Sequence, residues 1–576
     1  MPFQEFPPIA VIADAHVHDP AADFGFPGAA RTGGLSVRPL TEAARSTRVF
    51  NESLAAFRTA LDDVASRGIR HVVLLGDYTD DGQVATTASV AAILKDYGER
   101  HGLVFFALPG NHDIFADAGR HRTKRFLNAN GSSAVVTSHP VTVSRDALPP
   151  GIPHDRAVTV SPAMFCPGYP DGLTPVAAHG YFPQPSYRHW ETPFGVDGNA
   201  EGRMFTAVSS SGATRRPLME ASYLVEPVDG LWLLMIDANV FVPIDGSDDW
   251  VDSTSAGWNA MLVHKRHVID WMADVGARAA RLGKRLVAFS HYPALDPLDG
   301  TRAAEVALLG PTATSGRIPA EAVGEAFIAA GIALHFSGHL HVNDTARMRR
   351  GSGFLVNVAV PSLVGFPPAY KILRLGEGGA EIETVSLGEM PMDAAIGALY
   401  AAEAQHTGVK TGGMAEAVRY GDFLSAHIGH LAWRRHLKRE WPAMLAALLR
   451  AATLGDLAGL AVRPAVSMED AVALLPAAHD RTQASQEGEP AALPAIAFLG
   501  DWYRLRMASD AGLASVSPPR LRFYDRLSAL YQAQAWPDGS AQGGIAAMLV
   551  LFEAYRSGLP SKDFRIDLQT GEFTVR

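Results

Sequence analysis

The chain reads as an α/β domain followed by a mostly α-helical one, and three observations lead there. Between about residues 8 and 387, short apolar, β-branched runs alternate with helical patterns such as residues 53–68 and 85–101, the arrangement of an α/β sheet protein. Beyond about Pro391 the apolar period becomes 3.6 residues, the spacing of amphipathic helices. The length, 576 residues, exceeds what one hydrophobic core usually holds, so two or more domains are expected. The division this suggests is residues 1–388 and residues 389–576.

In chain order, the first apolar run is Ile9-Ala10-Val11-Ile12, which ends at Asp14 and His16. A helical pattern over 53–68 leads to His71-Val72-Val73-Leu74-Leu75, which stops at Gly76 and Asp77. A second helical pattern leads to residues 103–108, which end at Gly110-Asn111-His112-Asp113. The order is strand, helix, strand, helix, strand.

From about residue 116 to residue 218 the alternation lapses into a stretch rich in Pro, Gly, Ser and aromatics, with turn signals at Pro149-Pro150-Gly151 and Cys166-Pro167-Gly168-Tyr169-Pro170. Loop regions this long inside a domain are usually functional. The expectation is a lid or specificity insertion whose Tyr169, Tyr181, Phe182, Tyr187 and Trp190 form an apolar wall; packed decoration is the alternative.

Alternation resumes at residues 231–237, followed by one long helix expected over 258–282. The next two runs, 286–289 and 332–336, end at His291 and at Gly338-His339-Leu340-His341. Residues 353–359 and 370–375 read as closing strands. Helical patterns then cover 394–404, 414–452, 468–475, 496–514, 521–534 and 545–557, residues 480–489 read as a polar loop, and 564–567 with 572–575 read as a terminal β-hairpin.

Composition excludes some functions. A formal charge of −10 disfavours a broad phosphate-tracking surface, so nucleic acid is not the expected partner. No run approaches the roughly 18 uninterrupted apolar residues of a membrane span, and no basic n-region with an apolar h-region precedes the first strand. The expectation is a soluble, cytoplasmic chain without a membrane partner. Cys166 is the single cysteine, which rules out an internal disulfide and fits cytoplasm and periplasm alike. Nothing in the sequence bears on the oligomeric state.

One Asp after a strand is usually a turn former. Five clusters of metal-capable side chains, each ending an apolar run, are another matter, because open α/β sheets build their sites at strand ends. The clusters supply Asp14, His16, Asp77, Asn111, His291, His339 and His341. Carboxylate, imidazole and amide oxygen together suit a hard or borderline divalent metal. Seven donors are too many for one ion and suit two that share a bridging carboxylate.

This order of motifs, Asp-x-His, Gly-Asp, Gly-Asn-His-Asp, a lone His and Gly-His-x-His, resembles the calcineurin-like metallophosphoesterase superfamily over about residues 8–387. The resemblance implies a two-sheet sandwich flanked by helices, the four-layer metallophosphoesterase fold, and leaves the helical tail unaccounted for. It implies two metal ions, Mn, Fe or Zn, one held by Asp14, His16 and His341 and the other by Asn111, His291 and His339. Asp77 would bridge them, with a water or hydroxide between. The activity implied is hydrolysis of a small-molecule phosphate mono- or diester by that metal-bridging hydroxide, with Asp77 and His112 catalytic and His112 protonating the leaving group. Alternatives of other classes are a binding module on a phosphoesterase scaffold, or a nuclease.

Departures narrow the branch. Purple acid phosphatases carry a tyrosine where Asp80 stands, and the serine/threonine protein phosphatases carry phosphate-gripping arginines where Asp81 and Pro109 stand. The cyclic-nucleotide phosphodiesterase branch is similar at residues 76–82 and 109–113 but lacks the insertion and tail. His18 is expected to be structural or to support a metal ligand from behind, and Asp80 and Asp113 to orient loops or tune His16 and His112. His71, His101, His335, His427, His430 and His436 are expected to be structural or surface residues.

Overall fold

Two seven-stranded mixed sheets carry the site. The computed structural model describes residues 5–140, 158–475 and 488–576; the turn expected at Pro149-Pro150-Gly151 and most of the polar stretch 480–489 lie outside them. In the first sheet, Ile9–Ile12, His71–Leu74 and Val104–Ala107 run parallel and side by side. They are apolar without alternation because both faces are covered. Ile12 lies opposite Leu74 and Leu74 opposite Ala107, so the three runs end level. That register sets the segments bearing Asp14, Asp77 and Asn111 next to one another.

The second sheet places Leu231–Ile236, Arg285–Ser290, Leu334–Ser337 and Gly353–Ala359 in parallel, flanked by antiparallel strands. Leu231, Leu233 and Met235 share a core with Val11, Val73 and Phe106 of the first sheet. The alternate residues Trp232, Leu234 and Ile236 pack instead with Trp258, Val268 and Phe327 of the helices on the far side. The period of two along that strand therefore divides it between a sheet-on-sheet core and a sheet-on-helix core. Outside the first sheet, Ser53–Ser66 buries Phe57, Leu61 and Val64, and Val84–His101 buries Val90 and Leu94. Each such large apolar side chain contributes about 1.5–3 kcal/mol. The result is four layers, helix, sheet, sheet, helix.

The expected single helix over 258–282 is two helices, Gly257–His264 and Arg266–Leu282, which meet at a non-helical Lys265 (φ −123°, ψ 47°). The break lets the buried Lys265 Nζ donate to Glu220 Oε2 at 2.9 Å and to the Asp237 carbonyl at 2.7 Å. A buried ammonium left without partners would cost more than one interrupted helix turn.

The insertion is not an aromatic wall over the site. Tyr169, Tyr181 and Trp190 are buried in the main core, and Phe182 and Tyr187 pack against it half-buried. The Tyr169 hydroxyl donates to Asp237 Oδ2 at 2.7 Å, and Trp190 Nε1 donates to the Gly180 carbonyl at 2.8 Å. Trp190 lies in His189–Glu191, an outer strand of the second sheet. These aromatics are packing, and the same stretch adds a three-stranded sheet and a hairpin, Met204–Val208 with Arg215–Met219.

After Asp393 the chain becomes helical, from Ala394–Thr407 to Ala541–Ser557, around a core that includes Phe498, Trp502, Tyr524 and Phe552. Buried polar links tie this unit to the sheets. Arg506 reaches Glu305 through two hydrogen bonds of 2.8 Å, and Glu403 accepts from the Leu40 amide at 2.7 Å. Truncating one partner of a buried ion pair such as Arg506–Glu305 typically costs about 3–5 kcal/mol.

The terminal hairpin forms, but Phe564–Asp567 pairs antiparallel with Gly379–Ser386, so it extends the first sheet rather than closing the helical unit. Phe564 and Ile566 are buried and Arg565 and Asp567 exposed, and that one-sided pattern needs a sheet core beneath it. Among the described residues no helix is long and apolar enough to cross a membrane.

Candidate metal centre

Every donor is delivered by a turn that leaves a strand. Asp14 (φ 48°), His16 (39°), Asp77 (50°), His339 (70°) and His341 (57°) all have left-handed backbone, and they are five of the eight non-glycine residues with positive φ among the described residues. Each such residue costs of order 1–3 kcal/mol and persists only where its surroundings fix it. What fixes these is a set of backbone bonds between the turns: Asp14 N to the Gly76 carbonyl at 3.2 Å, and His16 N to the Asp77 carbonyl at 2.7 Å. The glycines beside them leave the room required, since a Cβ at Gly110 would collide with the Asp77 carboxylate and one at Gly338 with that of Asp14.

Three overlapping groups result: Asp14, His16 and His341; His16, Asp77 and His112; and Asp77, His291 and His339. Asp77 connects the two ends, with Oδ2 3.6 Å from His16 Nε2 and 3.2 Å from His291 Nε2. His16 Nε2 lies 3.1 Å from His341 Nε2, which is 3.3 Å from Asp14 Oδ1. His339 Nδ1 lies 3.3 Å from His291 Nε2. Donors bound at about 2.0–2.2 Å to one tetrahedral or octahedral ion stand roughly 3.0–3.5 Å from each other, so these separations match the edges of coordination shells.

Asn111 joins this set through an atom that has no other use. Its Nδ2 donates to Thr254 Oγ1 at 3.3 Å, which orients the amide, while Oδ1 is buried without a partner. On His339, His16 and His341 the unpartnered buried atoms are Nε2, Nδ1 and Nδ1, the ring nitrogens opposite those that meet the other donors. Buried polar atoms are normally hydrogen-bonded, so the orphaned Asn111 Oδ1 fits an atom shaped to hold a cation. The donor set, two carboxylates, one amide oxygen and four imidazoles, is one that divalent metal ions accept.

The electrostatics agree. Burial would raise the Asp77 carboxyl, but His291, His112 and His16 hold it well below the usual range. Burial would lower His291, yet Asp77 and then Asp14 lift it to about 9, so positive charge is favoured between these carboxylates. Burial, then Arg48, pushes His16 well down, and burial, then His291, does the same to His339, leaving both imidazoles neutral as a metal requires. His291 Nδ1 donates to the Leu75 carbonyl at 2.8 Å, so a His291 that gave up its extra proton to a metal would keep its lone pair on Nε2, beside Asp77.

Residues 7–149 match the family model described as calcineurin-like phosphoesterase. This segment resembles the calcineurin-like phosphoesterases in sequence as well as in motif order. It holds Asp14, His16, Asp77, Asn111 and His112. Comparison with curated protein sequences finds no match. Among solved structures, a dimetal phosphatase from Danio rerio shares 14% identity and aligns over 66% of this chain and 97% of its own, with a TM-score of 0.36.

Around these donors stand residues that no motif in the sequence marks. Asp81, not Asp80, meets His112: its Oδ1 accepts from His112 Nδ1 at 2.6 Å. Arg122 and Lys124 hold Asp81 well below the usual carboxylate range despite its burial. Asp80 is a buried counter-ion, 2.8 Å from Arg38 Nη1, 3.1 Å from Arg48 Nη2 and 3.0 Å from Lys124 Nζ. Asp113 orients the loops, accepting from Thr79 N at 2.8 Å and from Gly110 N at 2.9 Å.

Arg48 also brings a guanidinium to within 3.3 Å of the His112 ring, so a cation stands here although residues 81 and 109 are not arginine. His112, expected near neutrality, is pushed down by burial and then by Arg48. His18 is structural as expected, with Nε2 2.9 Å from the Ser36 carbonyl and its ring stacked on Phe24. His335 is held between Ser290 Oγ and Asn357 Oδ1, and His427 beside the Ala43 carbonyl.

Proposed function

We propose that this chain hydrolyses a phosphate mono- or diester at a two-metal centre. The observation that carries the reading is the pair of donor groups, Asp14–His16–His341 and Asp77–His291–His339, linked by Asp77. Asp14, His16 and His341 would hold one ion, Asn111, His291 and His339 the second, and Asp77 both. Bound there, Mn, Fe or Zn ions would polarise the phosphoryl oxygens and lower the pKa of a bound water.

The chain's own groups supply orientation and protons. Thr254 holds the Asn111 amide nitrogen and leaves Oδ1 uncommitted for an ion, and the Leu75 carbonyl does the corresponding work for His291. His112 donates through Nδ1 to Asp81, which leaves Nε2 to carry a proton to the departing oxygen. Arg48 pairs with Asp80 and Asp81 through Nη2 and brings Nη1 to 3.5 Å from His112 Nε2, so its charge would stand beside a phosphoryl oxygen that His112 reaches.

The test compares metal-stripped protein with the same protein reloaded with Mn²⁺, on p-nitrophenyl phosphate and bis-p-nitrophenyl phosphate. Turnover of at least one ester is expected only with metal, and its ratio between the two esters assigns mono- or diesterase character. No metal-dependent turnover of either would favour the scaffold reading, and cleavage of single- or double-stranded DNA in preference to both would favour the nuclease.

A further inference from the structure

Away from the metal centre, a cavity of about 750 Å³ opens where residues 41–45 meet the loop 408–410 and the helix that follows Leu431. Arg45, Lys410, Arg434, Arg435, Lys438 and Arg439 line it, and no acidic side chain does. That is a reversal of the chain's overall balance of 60 acidic to 50 basic residues. Among the described residues none of the six forms an ion pair; Arg435 Nη1 donates to the Arg45 carbonyl at 3.0 Å and Arg434 lies over the Trp433 ring.

Two further features mark the place. The helix carries like charges at i,i+4, Arg434 with Lys438 and Arg435 with Arg439, an arrangement that destabilises a helix unless an anion offsets it. Its turn Ala432–His436 is a π-helix, a rare distortion often found at functional sites. His430, 7% exposed, also lines the cavity, and its Nδ1 is buried with no hydrogen-bond partner. Burial and then Arg439 lower Arg435 as well, against the opposing pull of Glu440.

We propose that this cavity binds a small molecule bearing several phosphate groups. Six unpaired cations around one cavity call for a ligand of high negative charge. The volume is that of a small-ligand pocket rather than of a groove that tracks a nucleic-acid strand. The proposal does not depend on ester hydrolysis at the metal centre, and the test keeps the two apart.

Titration calorimetry on the full-length, metal-stripped protein with inorganic tripolyphosphate removes the metal centre as a competing site. One tripolyphosphate per chain is expected, bound at least about tenfold more tightly than inorganic phosphate and weakening as NaCl rises. The double variant Arg434→Gln, Lys438→Gln should lose about tenfold or more in affinity, while its thermal transition holds or rises as the like-charge repulsion is removed and its Mn²⁺-dependent rate on p-nitrophenyl phosphate stays at the wild-type level. Lys410→Gln, on a loop, gives the same readout without touching the helix. No binding by the wild type, or unchanged affinity in both variants, overturns the proposal. Tighter binding of a single-stranded oligothymidylate than of tripolyphosphate overturns the small-ligand assignment.

Discussion

Asp77→Asn is expected to leave the protein with at most one metal ion per chain and almost no turnover. The substitution keeps the shape of the side chain and removes its charge. In the fold that charge stands between His16 on one side and His291 on the other, and the same carboxylate accepts the His112 amide at 2.7 Å through Oδ1. The loss should therefore exceed the roughly 10–100-fold typical of residues that only support a ligand. Elemental analysis alongside turnover on p-nitrophenyl phosphate checks it, and a variant with two metals and a near-normal rate would place the bridge elsewhere.

His112→Gln is expected to slow an alkyl phosphoester by roughly 10²–10⁴-fold, the contribution of a positioned general acid, while a nitrophenyl ester slows far less. Nitrophenolate leaves without a proton, so only the alkyl ester needs Nε2. Asp81 fixes the ring through Nδ1, and glutamine keeps a donor but cannot transfer its proton. Both metals must remain, because His112 also stands with His16 and Asp77 in one possible ligand group. Equal slowing of the two esters would reassign His112 to holding the phosphate, and loss of metal would make it a ligand.

The metal-capable residues were legible because each ends an apolar run, and parallel strands in level register bring such ends together without further information. The same logic explains what was not legible. Arg48 and Asp81 meet through an ion pair between segments that share no period or motif, and only the folded chain shows that Asp81 rather than Asp80 receives His112. Tyr181 and Trp190 were misread because aromatics among Pro and Gly suit a lid and a core equally, and burial is decided by what packs above them. The terminal hairpin had a visible apolar face in Phe564 and Ile566, but alternation says that one face is buried, not which sheet buries it. Lys265 broke a helix whose pattern looked continuous, because Glu220 and Asp237 lie far from it in sequence.

The most direct test of the account is the metal content of the wild-type chain, measured by elemental analysis after saturation with Mn²⁺ or Zn²⁺ and removal of loosely bound ions. Seven donors arranged as two groups about Asp77 require two equivalents per chain, with the second lost when Asp77 becomes Asn. Fewer than about one equivalent in the wild type would contradict a two-metal centre.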